Sequence, residues 1–191
     1  MAKTFSGKSW VAWADIHAVN SEDLDDLVEP FRANAKGFIA ALEAAGATVA
    51  VSATLRPAKR AYLFHYSWLI GLGKLKPKAA KAKLGVDIEW DHGDAAKSKA
   101  GALEMIRGFG LAVPPNSLVA PAVDSNHIAG KAIDMSIAWT GELEVAKKDG
   151  KTVKVPFVDN ANKNTRLHAV GASYGLKKHL TDKPHWSVDG H

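Results

Sequence analysis

The segment SNHIAGKAIDMSI, residues 125–137, contains three residues that an ordinary strand does not need: His127, Gly130 and Asp134. A neutral imidazole and a carboxylate are common zinc ligands, and a catalytic zinc site takes three protein ligands with one position left open. His127 and Asp134 are an odd number of residues apart, so one straight strand would direct them to opposite faces. Glycine permits a bend between them. The segment therefore predicts two ligands of a metal site, with the third ligand supplied from elsewhere.

A third ligand is available in TDKPHWS, residues 181–187. The residue before a proline favours an extended conformation, so His185, which follows Pro184, is predicted to lie in a short strand. Asp182 precedes His185 by three residues, where its carboxylate could accept a proton from water beside the metal. The chain has no cysteine, so thiolate zinc sites and disulfides are excluded.

The two motifs together resemble those of a known family. The pattern SxHxxGxAxD at 125–134, followed by DxxHW at 182–186, resembles the zinc D-Ala-D-Ala carboxypeptidases and dipeptidases. The same pattern is found in the L-alanyl-D-glutamate peptidases that occur as bacteriophage endolysins. Upstream, AALEAAGATVAVSATLRP resembles the helix, strand and arginine segment of that family. The resemblance extends over roughly residues 22 to 190, with gaps.

The resemblance implies roles for particular residues. It implies one zinc ion, with three ligands: His127, Asp134 and His185. It implies that Asp182 is the general base, where many members have glutamate, and that Arg56 binds the substrate and the transition state. Alternatively, Asp182 is only a turn residue before a proline, and Arg56 only pairs with a surface carboxylate.

Further residues are candidates for substrate binding. The resemblance places Ser125 beside the site, and Trp186 directly follows the last ligand. The stretch SATLRPAKR departs from the family pattern around its arginine, which leaves Arg60 as a substitute for Arg56.

A second polar cluster lies in WDHGD, residues 90–94. Asp91, His92 and Asp94 could form a second metal site, but a helix start capped by Asp94 is the favoured interpretation. Asp15 and His17 in WADIH are left without a role.

Composition bounds the remaining possibilities. The chain has 191 residues, 47% of them hydrophobic and 24% charged, which predicts a single globular catalytic domain over residues 1–191. The net charge of +5 favours a polyanionic partner such as a bacterial cell wall. Nucleic acid is not expected, because neither an RNA-binding aromatic motif nor a helix-turn-helix pattern occurs. No signal peptide or membrane span is predicted, so we expect a monomer made in the cytoplasm that acts on the wall after release.

Periodicity predicts an α+β fold, in which a small antiparallel sheet carries the zinc site and packs against several helices. Helices are expected over about 22–46, 58–72 and 94–109, with a last helix that begins after Asn164. Ala47–Leu55 is expected to be a buried strand, followed by a strand in KAIDMSIAW and a hairpin that turns at Asp149-Gly150. Relative to the family that the chain resembles, the segments 74–95 and 140–157 are interpreted as insertions.

The sequence therefore predicts a zinc metallopeptidase that hydrolyses an amide bond in the stem peptide of peptidoglycan. An endolysin-type endopeptidase, with L-alanyl-D-glutamate as one candidate bond, is favoured by the compact chain, the positive charge and the two inserted segments. A D-Ala-D-Ala carboxypeptidase or dipeptidase is the first alternative. A non-catalytic zinc-binding or wall-binding module is the second alternative.

Overall fold

The computed structural model describes residues 3–191, which form two compact units. The first unit contains the segment that ends at Val19 together with Arg56–Ser125, and the second contains Asn20–Leu55 together with Asn126–His191. Five α-helices and small sheets that are mostly antiparallel confirm the predicted α+β class. That the whole chain acts as one catalytic domain stays a prediction.

The first unit is mainly helical. It contains α1 (Lys8–His17), α3 (Ala58–Gly71) and α4 (Ala95–Gly108), with a two-stranded parallel sheet of β1 (Thr4–Phe5) and β3 (Ile88–Glu89). Helix α1 was not predicted. The segment 74–95, interpreted as an insertion, contains a short 3-10 helix at Pro77–Ala79 and strand β3. The core of this unit is aromatic and includes the buried side chains Trp10, Tyr62 and Trp90.

The second unit contains the larger sheet, in the order β2-β4-β8-β7. Its strands are β2 (Thr48–Ala53), β4 (Ala132–Ala138), β7 (Lys177–Lys178) and β8 (His185–Ser187), and every neighbouring pair is antiparallel. The predicted hairpin at 140–157 is present as β5 (Glu142–Ala146) and β6 (Thr152–Pro156). Helices α2 (Phe31–Ala44) and α5 (Thr165–Ser173) complete the unit.

Two local predictions need correction. The helical region expected at 22–46 is divided, because Pro30 starts α2 and only a 3-10 turn, Leu24–Asp26, precedes it. The strand expected to be buried at Ala47–Leu55 is β2, which lies at a sheet edge and alternates exposed with half-buried residues. None of the helices that the described residues form has the length and apolar composition needed to span a bilayer.

The pleat of β4 separates the core from the polar residues. Ile133 and Met135 are buried in the hydrophobic core, where they join Phe38 of α2 and Leu167 of α5. Successive side chains of a strand point to opposite faces, so Asp134 is directed away from this core. The sheet therefore presents one polar face on which side chains from neighbouring strands can meet.

Candidate metal centre

His127 is held by a tight turn before β4. The Lys131 N–H donates to the Asn126 carbonyl at 2.7 Å and closes the turn. Gly130 has a φ of 66°, and a Cβ there would lie 3.2 Å from the Asp26 carbonyl oxygen. A side chain at Gly130 would thus meet both a conformational and a steric penalty. The predicted bend between His127 and Asp134 is confirmed.

Strand pairing brings the other two residues together. Asp134 on β4 and His185 on β8 are direct partners in the antiparallel register. Side chains of directly opposed residues lie on the same face of the sheet, with Cβ atoms about 4.5–5.5 Å apart. The register of β2 against β4 shifts between Val51 and Ala53, so that Ala53 is the partner of Asp134.

Three ligand atoms converge at one point. His127 Nε2 lies 3.2 Å from Asp134 Oδ1 and 3.2 Å from His185 Nδ1, and His185 Nδ1 lies 3.0 Å from Asp134 Oδ1. His127 and His185 are buried, and Asp134 is half-buried. The three predicted ligands therefore form a compact cluster that can hold a metal ion.

The hydrogen bonds on the far side of each ring fix which nitrogens face this cluster. His127 Nδ1 lies 2.8 Å from the Thr54 carbonyl oxygen, and His185 Nε2 lies 3.1 Å from the His191 carbonyl oxygen. A carbonyl oxygen only accepts, so each of these nitrogens carries the hydrogen, and in a neutral ring the other nitrogen then presents a lone pair. Two nitrogen lone pairs and a carboxylate oxygen thus point at each other, an arrangement that a cation satisfies.

The spacing of the three atoms fits zinc. Ligand atoms bound to zinc at about 2.0–2.2 Å in a tetrahedron stand roughly 3.3–3.6 Å apart. The observed separations of 3.0–3.2 Å require only a small outward movement to reach that range. The Thr54 and His191 carbonyls also provide the second hydrogen bond that orients ligating histidines in metal sites. The donor atoms are compatible with other borderline divalent metals as well.

Charge within the cluster shifts the pKa values of its members. Burial would by itself raise the pKa of Asp134, but its hydrogen bonds to His127 and His185 and their charges hold this pKa well below its usual range. Burial would lower the pKa of His185, but the hydrogen bond to Asp134 and the nearby carboxylates raise it overall. The cluster therefore favours an ionised carboxylate next to a positive charge, a condition that a bound cation would also meet.

Asp182 lies in the exposed turn that leads into β8. Its N–H donates to the His179 carbonyl at 3.4 Å, and its own carbonyl accepts from the His185 N–H at 3.3 Å. The negative charge of Asp182 contributes to the raised pKa of His185, so the carboxylate acts electrostatically on the cluster. The position agrees with a turn residue and also leaves the carboxylate accessible. Its role as general base stays a prediction.

The two predicted arginines and Ser125 belong to the first unit. Arg60 donates to the carbonyls of Ala14 and Ala18 and pairs with Asp15 at 2.8 Å, which gives Asp15 a structural role. These contacts hold the guanidinium of Arg60 against α1. Its role in substrate binding stays a prediction. The guanidinium of Arg56 lies 5.8 Å from the centroid of the Phe64 ring.

Ser125 has a buried hydroxyl without a hydrogen-bond partner among the described residues. The predicted roles of Ser125 and Arg56 at the metal site stay predictions.

Trp186 is a core residue. Its side chain is 1% exposed and packs on Phe38, with ring centroids 5.2 Å apart. A Cβ at Gly171 would lie 2.5 Å from this ring, so α5 needs a glycine to approach β8. The residue next to the ligand His185 therefore points to the opposite face and anchors β8 in the core. Its role in substrate binding stays a prediction.

The WDHGD segment contains a helix cap. The Asp94 carboxylate accepts from the Lys97 N–H at 2.8 Å and caps α4, as predicted. His92 Nε2 lies 2.9 Å from the Ser6 hydroxyl, and Asp91 pairs with Lys78 at 3.4 Å. Among residues 3–191 the grouping of metal ligands is His127, Asp134 and His185, and Asp91 and His92 take structural contacts instead.

Lys178 was not predicted to have a role. It lies on β7, is 7% exposed, and its ammonium donates to the carbonyls of His179, Asp182 and His185. Burial lowers the pKa of Lys178 to about 8, against the charges of Asp182 and Asp134, which raise it. One buried ammonium therefore fixes both ends of the turn that carries Asp182 and His185. The sequence gives little indication of this role for Lys178, because its acceptors are main-chain atoms.

Comparison with known proteins adds no assignment to this geometry. No protein-family model matches the chain, and no curated protein matches it.

We predict that the purified chain binds about one divalent metal ion and that His127→Ala or His185→Ala removes it. Each substitution deletes one of the three ligands, so the metal ion would keep only two protein ligands. Metal content is measured by elemental analysis after dialysis, with His17→Ala, an exposed histidine in the first unit, as the control. Metal affinity should fall on acidification, and the fall should start above the ordinary histidine pKa of about 6.5. The reason is that the pKa of His185 is raised, so this ligand takes up a proton at a higher pH. Full occupancy in either ligand variant contradicts the assignment.

We predict that Lys178→Met lowers the free energy of unfolding by about 2–3 kcal/mol, since buried carbonyls lose a charged donor. Metal affinity should fall with it, because the turn that carries His185 is no longer fixed. Both quantities are measured by denaturant titration and by competition with a chromogenic chelator. Lys177→Met, which changes the exposed neighbour on the same strand, is the matched control and should be neutral. A Lys178→Met protein with unchanged stability and unchanged metal affinity would remove this role.

Proposed function

We propose that the protein is a zinc-dependent peptidoglycan hydrolase that cleaves an amide bond of the stem peptide as an endopeptidase. The observation that carries this proposal is the convergence of His127 Nε2, Asp134 Oδ1 and His185 Nδ1 within 3.0–3.2 Å, with an accessible carboxylate three residues before the last ligand. Three protein ligands leave a tetrahedral ion one open position, which is the mark of catalytic zinc sites.

Zinc is favoured among the metals by the donor atoms. Two imidazole nitrogens and one carboxylate oxygen form the site, and histidine nitrogen suits zinc far better than it suits magnesium or calcium. When bound, a zinc ion supplies a Lewis acid that makes water a better nucleophile near neutral pH and polarises a carbonyl.

The chain's own residues supply the remaining chemistry in this proposal. The Asp182 carboxylate is exposed on the turn before β8, and accepts a proton from the attacking water and returns it to the leaving amine. Lys178 donates to three main-chain carbonyls of the turn and so fixes where that carboxylate lies relative to His185. The assignment of Arg56 to the developing oxyanion rests on the resemblance of its segment alone.

The choice of peptidoglycan rests on three supports. The SxHxxGxAxD and DxxHW motifs resemble those of the zinc D-Ala-D-Ala carboxypeptidases and of the phage L-alanyl-D-glutamate peptidases. The net charge of +5 favours an anionic polymer. The β5–β6 hairpin belongs to the same unit as the cluster, and a hairpin near the site would suit a polymeric substrate. The proposal includes action as a monomer on the wall after release from the cytoplasm.

We predict that the zinc-loaded protein shortens defined muropeptides and that mass spectrometry identifies an internal stem-peptide cut. The reason is the combination of a three-ligand centre with a nearby base, which together hydrolyse amides. Release of D-Ala alone would identify a carboxypeptidase or dipeptidase instead. Intact muropeptides after prolonged incubation would favour a non-catalytic binding module. Activity should decline on acidification, starting above the ordinary histidine pKa of about 6.5, because the raised pKa of His185 lets protons compete for this ligand at a higher pH.

We predict that Asp182→Ala lowers kcat by about 10²-fold or more, the scale of general acid–base catalysis. Zinc content and thermal stability should change little, because the Asp182 side chain is exposed and the turn is held by its main chain. Asp149→Ala, an exposed aspartate in the hairpin turn, serves as the control for loss of a surface charge. Near-normal kcat in Asp182→Ala would assign the base to another residue.

A further inference from the structure

The loop of residues 188–191, which follows β8, folds back beside that strand. Gly190 has a φ of 88°, a left-handed conformation that favours glycine, and it lets the chain turn at this point. The Gly190 N–H donates to the Ser187 hydroxyl at 2.9 Å, and the His191 N–H donates to the same hydroxyl at 3.1 Å. Because Ser187 is buried at the end of β8, these bonds hold the 188–191 loop against the strand that carries His185.

The carboxylate of Asp189 joins this loop to both segments that carry a histidine ligand. Its Oδ1 accepts hydrogen bonds from the Ser187 hydroxyl at 3.1 Å, the His191 N–H at 3.0 Å and the Asn126 side-chain amide at 2.7 Å. Asn126 directly precedes one histidine ligand, and Ser187 follows the other by two positions. One carboxylate oxygen therefore links the turn before β4 to the end of β8, although Asp189 lies outside both metal-ligand motifs.

This network holds one main-chain oxygen in place. The His191 oxygen accepts from the Asn126 side-chain amide at 2.8 Å, and it also accepts from His185 Nε2 at 3.1 Å. A side-chain amide has two N–H groups, so Asn126 can donate to the His191 oxygen and to the Asp189 carboxylate at the same time. The position of the oxygen that faces His185 is therefore set by Asn126 and Asp189.

The His191 oxygen decides between two tautomers of His185. In a neutral ring only one nitrogen carries a hydrogen. With the hydrogen on Nε2, Nδ1 presents a lone pair to the cluster and can bind a metal ion. With the hydrogen on Nδ1, the ring would instead donate to Asp134 Oδ1, which lies 3.0 Å away, and hydrogen bonds to an ionised carboxylate are strong. The bond to the His191 oxygen offsets that competing bond and keeps Nδ1 available for a metal.

We propose that Asp189 is a positioning residue of the metal centre, which holds the His191 oxygen against His185 Nε2 and so selects the His185 tautomer that can bind a metal ion. Loss of a hydrogen-bond partner behind a ligating histidine lowers metal affinity by about 10–100-fold in other proteins, and this sets the size of the effect expected here. The proposal rests on the three-ligand cluster and is independent of whether the protein hydrolyses peptidoglycan.

The first measurement is the zinc affinity of the full chain, by competition with a chromogenic chelator. Asp189→Ala should weaken zinc binding about 10–100-fold. The side chain of Asp189 is exposed, so this variant is expected to fold. Asp189→Asn keeps an acceptor oxygen and removes the charge, so it should bind zinc within about threefold of the wild type. Asp159→Ala, an exposed aspartate of the same unit, is the control for loss of a negative charge.

Nitrogen NMR spectra of the histidine rings in the metal-free chain give a readout that loss of stability alone would not change. At a pH above the raised pKa of His185, the wild type should carry the ring hydrogen of His185 on Nε2. Asp189→Ala should shift that hydrogen towards Nδ1. His127 is the internal reference, because its Nδ1 donates to the Thr54 carbonyl, and its tautomer should be the same in every variant.

A second variant tests the same network from its other end. Asn126→Ala removes the amide that donates to the Asp189 carboxylate and to the His191 oxygen, so it should lower zinc affinity by a similar factor. Combined with Asp189→Ala it should add little further loss, because residues that act through one network are not additive. If Asp189→Ala fails to fold, Asn126→Ala takes its place in both measurements. If the metal-free chain unfolds, the zinc affinities decide.

Zinc affinity equal to that of the wild type in Asp189→Ala overturns the proposal, and so does a His185 hydrogen that stays on Nε2 in this variant. An equal loss of affinity in Asp189→Asn and Asp189→Ala overturns it as well, since the charge alone would then account for the effect. All of these results are obtained without a substrate. Absence of muropeptide hydrolysis therefore removes the proposed function and leaves this role of Asp189 standing.

Discussion

The central constraint of the second unit is that His127 Nε2, His185 Nδ1 and Asp134 Oδ1 direct their lone pairs at one another. The Thr54 and His191 carbonyls force His127 and His185 to carry their hydrogens on the outer nitrogens, so both inner nitrogens face the Asp134 carboxylate as acceptors. Acceptors at 3.0–3.2 Å repel unless a cation or a proton lies between them. The strand order β2-β4-β8 brings these groups together, because the end of β2 leads to Thr54, β4 supplies Asp134, and β8 supplies His185.

Core packing and main-chain hydrogen bonds in the rest of the unit keep these groups in place. Trp186 and Ile133 are direct partners across β8 and β4 and are buried on the face opposite the cluster, so core packing and ligand geometry depend on the same two strands. A shift of one residue in either strand would exchange the two faces. Lys178 adds a second constraint, since it ties His179, Asp182 and His185 through their carbonyls. Lys178 is the direct partner of Trp186 across β7 and β8, with its ammonium 5.6 Å from the Trp186 ring centroid, so core packing and the buried ammonium act from the same face to determine where His185 lies.

Residue type and spacing were enough to predict the three ligands, because few side chains bind metals and the bend at Gly130 has a local cause. Caps were predictable for the same reason: Asp94 and Asn164 each accept a hydrogen bond from the first turn of the helix that follows. The edge position of β2 was not predictable, since β-branched residues occur in edge and central strands alike.

Other features depend on tertiary contacts that spacing does not show. Trp186 lies within a functional motif but packs in the core, and Arg60 is used by α1. Lys178 donates to main-chain carbonyl oxygens, which every residue carries, so the sequence gives no indication of its role.

The order of the chain has a consequence for how this unit forms. Strands β2 and β4 are separated in sequence by the whole of Arg56–Ser125. Their pairing closes a long loop, and the conformational entropy of loop closure has to be offset before the sheet is stable. His185 joins later still. During synthesis His127 and Asp134 emerge before His185, so a chain released before His185 would have an incomplete cluster. If the cluster holds a metal ion, its capture would come late in the formation of this unit.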